Sequence, residues 1–301
     1  MKTKTLLLAL ALGLVAGHAS AAGKAVKPEK AVVVVEAVQM PAWVEHANGG
    51  RDALVVGATL HNKDRVVTGE GSRAALRMSD GSLVRLGQNG NLALDDLAQR
   101  KFNAKDVVTA TLDVLAGAFR FTTQALPKQR VERDVKVRVV TITLGLRGTD
   151  LWARPEAERD VVCLLEGKID VTRGEQAFTM DQAMSFYIAP KGKPGEPVAA
   201  VSKEQLDKWI AETDVATGKG ALRAGGKWRL YLGDASDQDG ALSLYDQLRN
   251  AGYAAQIRPV STEAGTTYRV RISNFATREE AAAFGEKLKG KFGITAPQVS
   301  R

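Results

Sequence analysis

The stretch from Lys227 to Val299 carries one pattern twice, and that repetition constrains the fold more than any other feature of the chain. The first half begins at Trp228 (WRLYLGDASDQDGALSLYDQLRNAGYAAQIRPV) and the second at Tyr268 (YRVRISNFATREEAAAFGEKLKGKFGI). Each opens with an alternating strand, crosses a polar turn, enters an amphipathic helix and leaves through Gly and an aromatic into a second strand. The spacing predicts βαβ twice, or βαββαβ.

The periods also say which faces are buried. Trp228, Leu230 and Leu232 alternate with Arg229 and Tyr231, and Val270 and Ile272 alternate with Arg269, Arg271 and Ser273. One face of the sheet is therefore apolar and the other basic. Ala241, Leu244, Tyr245 and Leu248 recur at helical spacing behind Ser236 or Asp237 as cap, with Gly252 past the end. In the second helix Thr277 is the N-cap, Glu280 the capping-box partner, and Ala281, Phe284 and Leu288 the buried stripe. If both helices cover the apolar face, Arg229, Tyr231, Gln256, Arg258, Arg269 and Arg271 share the open one. A glycan offers hydroxyl and acetamide acceptors and apolar sugar faces, which Arg, Gln and Tyr can satisfy. An ordinary solvated sheet face is the plain alternative.

This stretch resembles the SPOR (sporulation-related repeat) family. Tyr231 to Gly233 and Leu248 to Tyr253 meet the first half of the family pattern; Tyr268 to Arg271, Phe275 and Thr277 to Ala281 meet the second. The resemblance implies an α+β domain of ferredoxin/RNP-like type that binds peptidoglycan through its exposed sheet face, preferring glycan strands stripped of their stem peptides. Carried over by position, it implies contacts from Tyr231, Asp234, Thr267 and Arg269. The chain departs from the family at Gly233-Asp234-Ala235, where Gly-Ser-Phe is usual, and at Ser273-Asn274, where Gly-Pro is usual. An RNA-recognition module has the same layering, but its third strand carries a Phe/Tyr pair that is missing here, and the leader described next argues for export. No nucleic-acid partner is expected.

Met1 to Ala21 has the make-up of a cleavable signal peptide: Lys2 and Lys4, an apolar run from Leu6 to Val15, then Ala19-Ser20-Ala21. The run is shorter than the roughly 20 apolar residues a spanning helix needs, so no transmembrane segment is expected in the mature chain. These features predict a periplasmic, cell-wall-associated protein. The formal charge of +8 suits anionic envelope polymers without requiring them. Cys163 is the one cysteine and lies in the apolar run Val161 to Leu165, which predicts a buried thiol rather than a reactive one.

Between Leu54 and Tyr187 the chain shows short strand signals: Val66–Thr68, Ala74–Met78, Leu83–Leu86, Leu92–Leu94, Val107–Leu115, Ala118–Thr122, Val135–Thr143, Val161–Leu165 and Ile169–Thr172. A strand over Ala31–Val38 precedes them, Asp80-Gly81 marks a hairpin, and Gln124–Asp134 has the polarity of a loop. The expectation is an all-β N-terminal domain over 31–189, as a barrel, sandwich or solenoid. Asp64 to Gly69, Ser79-Asp80-Gly81-Ser82, Leu115-Ala116-Gly117, Leu146-Arg147-Gly148-Thr149-Asp150 and Leu165-Glu166-Gly167-Lys168 resemble the periplasmic FecR domain. The best-known members of that family relay an iron-uptake signal to a sigma factor through a spanning helix. No such helix is legible here, so the resemblance implies a β-rich interaction or sensing module with an unidentified protein partner. Asp150 and Arg147 are expected to stabilise a turn.

Residues 190–225 are expected to form a linker: KGKPGEP opposes regular structure, Ser202 caps a short helix over 202–213, and TGKGALRAGG (217–226) is a flexible boundary before a wall-binding domain at 226–301. Catalysis has little support. His46 and His61 sit in turn-like settings without metal-ligand spacing, and no nucleophile elbow or phosphate loop is present. Asp95-Asp96, on an expected turn, and Glu279-Glu280 do not oppose one another across a cleft as glycoside hydrolysis requires. The chain is therefore expected to be non-enzymatic, with no cofactor and no metal. It would bind denuded glycan and present the β domain at the wall or the division septum. The alternative is a ligand-responsive regulator for which the C-terminal domain is only an anchor.

Overall fold

The computed structural model describes residues 32–102, 105–123, 131–146, 148–263 and 265–301. The expected leader, the polar stretch after it, Gln124 to Arg130 of the expected loop, and Arg147 lie outside the described residues.

Among the described residues the N-terminal region threads eighteen strands: β1 (Val33–Gln39), β2 (Ala42–Glu45), β3 (Arg51–Ala53), β4 (Thr59–Leu60), β5 (Arg65–Thr68), β6 (Arg73–Met78), β7 (Leu83–Leu86), β8 (Asn91–Phe102), β9 (Lys105–Ala116), β10 (Phe119–Thr122), β11 (Val131–Val139), β12 (Ile142–Leu146), β13 (Asp150–Pro155), β14 (Arg159–Glu166), β15 (Ile169–Arg173), β16 (Gln176–Met180), β17 (Ser185–Pro190) and β18 (Ala199–Ala200). One sheet runs β18-β17-β14-β13-β10-β7-β6-β1, the other β16-β15-β12-β11-β9-β8-β5-β2-β3. Alternate residues of both, among them Val35, Leu76, Phe121, Leu112 and Leu144, pack into one core.

The Asp80-Gly81 hairpin joins β6 to β7 as its dipeptide predicts, with Gly81 at φ +83°. Asp80 itself is fully buried: it accepts from the Ser82 amide (2.9 Å) and hydroxyl (2.6 Å) and from the Arg133 guanidinium. Removing one partner of such a buried charge typically costs about 3–5 kcal/mol.

Three expectations fail for tertiary reasons. Val135–Thr143 is not one strand but the β11–β12 hairpin, turning at Val140 (φ +42°). No Gly, Asn or Asp marks that turn, because Asp160 on distant β14 stabilises it by accepting from the Thr141 amide (2.9 Å) and hydroxyl (2.5 Å). Residues 131–134 are not loop but the start of β11, whose parallel pairing with β9 satisfies their backbone despite the charged side chains. Asp95-Asp96 is not a turn between strands either. It is a bulge within β8, where the register shifts between Asp95 and Ala98, Asp96 takes φ +50° and Asp95 accepts from Lys63 at 2.7 Å.

Helix α1 (Lys203–Thr213) follows, capped by Ser202 accepting from the Gln205 amide. Leu206 and Trp209 face the outer side of the first sheet, and Trp209 stacks on Trp152 at 4.7 Å. Under this helix Cys163 is fully buried, and burial pushes its thiol up to about 12, with Asp150 adding to the shift. Cys163 should stay unlabelled by a disulfide reagent in native buffer at neutral pH and react stoichiometrically once the chain is unfolded. Rapid native labelling would show that α1 opens.

Residues 217–226 are not a free boundary. Within them β19 (Ala221–Arg223) pairs with β1 on one side and, through Leu222 and Phe275, with the C-terminal domain on the other. That domain consists of β20 (Trp228–Ala235), α2 (Gln238–Asn250), β21 (Ala255–Thr262), β22 (Gly265–Phe275), α3 (Arg278–Leu288) and β23 (Gln298–Ser300). Asp237, rather than Ser236, caps α2. Thr277 caps α3 as predicted, but the Glu280 side chain does not close a capping box. Buried, it turns away and accepts the amides of Gly218 (2.6 Å), Gly220 (2.5 Å) and Ala221 (3.0 Å), tying the segment before β19 to α3.

A second junction lies at the end of α2. Trp43 of β2 donates to the Asn250 carbonyl at 3.1 Å, and Ala42 donates to that of Gly252 at 3.1 Å. A Cβ on Gly252 (φ +82°) would come within 2.6 Å of the Trp43 ring, so only glycine permits this approach. Arg249 adds a contact to Asp52 at 2.9 Å, and Asp52 lies 3.4 Å from His46, which bonds the buried Asp64 at 3.0 Å. His46 is therefore a half-exposed structural group.

Candidate functional site

The C-terminal sheet has the order β23-β20-β22-β21. Leu230, Leu232, Val270, Ile272 and Ala255 are buried with Ala241, Leu248, Ala281, Phe284 and Leu288 of the two helices. Among the described residues both helices pack on this face, and the residues of the opposite face are partly exposed.

Cross-strand pairing places the candidate residues on that open face. Tyr231 lies opposite Arg271, and Arg271 opposite Gln256; Asp234 lies opposite Arg269, and Arg269 opposite Arg258. Arg229, two residues before Tyr231, faces the same way opposite Ser300, and Thr267 lies farther along β22 opposite Val260. Simple alternation would put Tyr231 and Asp234 on opposite faces. A bulge between Tyr231 and Gly233 inserts one extra residue on the helix side, so both point to the open face. The second departure from the family pattern is also accommodated: Asn274 takes φ +74° at a bulge between Trp228 and Leu230, a conformation Asn tolerates better than most residues.

Two groupings result. In the first, Arg269 donates to both carboxylate oxygens of Asp234 at 2.8 and 2.9 Å and lies 4.9 Å from the centre of the Tyr231 ring. Arg269 holds the Asp234 carboxyl below its ordinary range. Exposed pairs of this kind contribute about 0–1 kcal/mol, so the pair sets orientation more than stability. In the second, hydrogen bonding toward Ser300 draws the Tyr231 phenol below its ordinary value, and Arg271 and Arg229 act in the same direction against burial. Among the described residues no carboxylate pairs with Arg229, Arg258 or Arg271, and the Arg271 Nε is buried without a partner. Gln256 accepts from the Ser273 hydroxyl at 3.2 Å. Arg258 and Thr267 flank these groupings without joining them.

Ser300 and Gln298 of β23 border the site, and sequence reasoning did not find them. Their strand is only three residues long, too short for alternation to register. The face as built offers guanidinium donors beside an aromatic, suited to carboxylates, hydroxyls and acetamide carbonyls. Among the described residues no group of three or more His, Cys, Asp or Glu side chains is placed to hold a metal. No helix of the described residues is long and apolar enough to cross a membrane.

Residues 224–299 match the family model of the SPOR domain, and residues 64–170 match that of the FecR protein. No curated protein matches the chain. A structure at 1.65 Å of a Parabacteroides distasonis ATCC 8503 protein assigned as an anti-sigma factor aligns with TM-score 0.38 and 15% identity, over 48% of this chain and 64% of that one. The chain thus spans less than two thirds of that protein. A second structure from the same organism, at 2.50 Å and with the same assignment, aligns with TM-score 0.38 and 12% identity, over 67% of this chain and 96% of that one. The chain is a FecR-domain protein with a C-terminal SPOR domain.

Proposed function

We propose that the C-terminal domain, with its βαββαβ ferredoxin/RNP-like arrangement, binds peptidoglycan glycan strands through its open sheet face. The protein would be exported, associated with the wall in the periplasm and non-catalytic, and it would hold the FecR domain at the wall as an interaction or sensing module. The observation that carries this reading is the cluster of Arg229, Arg271 and Tyr231, with two guanidiniums that no described carboxylate neutralises. Its chemistry accounts for a preference for denuded strands. A stem peptide is amide-linked through the lactyl group of the sugar, and its removal unmasks a carboxylate that two guanidiniums can bind by charge-assisted hydrogen bonds. Arg269, oriented by Asp234, would pack on the same ligand, with Gln256, Arg258 and Thr267 extending the contact.

The docking of the two domains bears on the regulator alternative. A domain that serves only as an anchor needs no more than a tether, whereas here β19 and Glu280 join the SPOR domain to the FecR domain by hydrogen bonds. Ligand occupancy on one domain can therefore be felt by the other. The test is co-sedimentation of the mature protein with purified sacculi before and after amidase treatment. Retention should rise after stripping and fall with added salt; equal or absent retention on both preparations would defeat the glycan reading.

A further inference from the structure

Because β19 joins the first sheet of the FecR domain to the SPOR sheet, the two domains also share one continuous sheet surface. Leu222 pairs with Val38 on one side and Phe275 on the other, and all three are buried in the core that takes in both the sandwich and the C-terminal helices. Arg223, the next residue, therefore points to the opposite face, which carries Arg229, Tyr231 and Arg271. Cross-strand pairs continue that face into the FecR domain, from Arg223 through Ala37, Ala75, Arg85 and Arg120 to Trp152 beneath α1. On the way, β4 and β19 pair with successive halves of one edge of β1, and beside them opens a notch of about 460 Å³ lined by Glu36, Gly57, Arg77, Arg223 and Ala224. Its charges do not cancel. Arg77 bonds both oxygens of Glu36, whereas Arg223 bonds the neutral Val215 carbonyl at 3.1 Å and pairs with no carboxylate among the described residues. Farther along the row charge is matched, since Arg120 bonds both oxygens of Asp150 and Asp214 lies 3.5 Å from Arg85.

We propose that the glycan site crosses the domain seam, so that a denuded strand held by Arg229 and Arg271 reaches the notch with a second carboxylate, which Arg223 binds. This extension rests on the glycan reading of the SPOR face and specifies its ligand as a run of several sugars. Phe275, opposite the neighbour of Arg223, lies about 13 Å along β22 from Arg271, a gap that one sugar residue does not bridge and a short run of glycan does. Lactyl carboxylates recur along a denuded strand, so a guanidinium in line with the first cluster makes the second contact intramolecular and raises affinity without changing the first. The guanidinium fork of Arg223 keeps donors for a carboxylate beyond its bond to Val215. The FecR domain would then touch the glycan itself, at the strand where the two domains meet.

The test compares two probes on the mature protein: a denuded disaccharide, which has a single lactyl carboxylate, and denuded strands of about eight sugars. Two variants address the notch independently. Arg223→Glu reverses its charge, and Ala224→Trp fills it from an exposed position while the Ala224 amide keeps its bond to the Glu36 carbonyl. Each should weaken binding of the longer strands about tenfold, with disaccharide affinity and melting temperature unchanged. Wild-type affinity of both variants for the longer strands, with disaccharide binding intact, would overturn this proposal and leave the glycan reading standing. An equal loss on the disaccharide would place Arg223 in the first cluster and overturn the second contact. Binding of neither probe to the wild-type protein would overturn both readings.

Discussion

Replacing Arg229 and Arg271 together by Ala should cut binding of the mature protein to amidase-stripped sacculi by roughly 10–100-fold while leaving its melting temperature unchanged. A hydrogen bond to a charged group contributes about 1.5–3 kcal/mol, and each 1.4 kcal/mol is a factor of about ten in affinity. Both side chains stand on the solvent face of the sheet, so their removal opens no cavity in the core. Arg269 should behave differently because it carries Asp234 with it. Arg269→Ala exposes an unneutralised carboxylate on the face proposed to bind an anion, and adding Asp234→Ala should recover part of the loss. Wild-type retention by the Arg229/Arg271 variant would remove the sheet face from the interaction, whatever the FecR domain does.

Glu280→Ala should destabilise the docked arrangement by about 3 kcal/mol or more. Its carboxylate is the side-chain acceptor for three amides in a segment that the sequence marks as flexible, and two of them, on Gly220 and Ala221, are buried. Each buried donor left unpaired costs about 1–3 kcal/mol. Hydrogen exchange should speed up across 217–222 first, and the C-terminal domain should unfold in a transition of its own, at a lower temperature than in the wild type, as it detaches from β1. An unchanged exchange pattern would mean that β19 holds the domains together without the carboxylate. The variant also tests coupling: if ligand on the SPOR face is sensed by the FecR domain, Glu280→Ala should abolish that response without weakening binding of a denuded disaccharide to that face.

Much of this architecture was legible where the signal is local. Asp80-Gly81 encodes its hairpin, the caps at Ser202 and Thr277 start their helices, and the apolar stripe of each C-terminal helix meets the apolar face of its sheet. The membership of the open face was also legible, because alternation places Arg229, Tyr231, Arg269 and Arg271 together once the helices are assigned to the other side. Illegible features have partners far away in the chain. The β11–β12 turn is stabilised by Asp160, the charged start of β11 by a parallel neighbour, and β19 by pairing on both flanks.

Asp234 marks the boundary between the two kinds of information. Counting residues puts it on the buried face; a one-residue bulge, formed only when β20 pairs with β22, turns it to Arg269. The local pattern thus determined a two-part layout, the elements of the C-terminal domain and the character of its two sheet faces, because periodicity and capping depend on neighbours a few residues apart. Tertiary structure alone decided that the domains share a sheet, that Glu280 serves the junction instead of its own helix, and which arginines have no carboxylate partner among the described residues. Each of these depends on which distant donor reaches which acceptor, and no short window of sequence contains both.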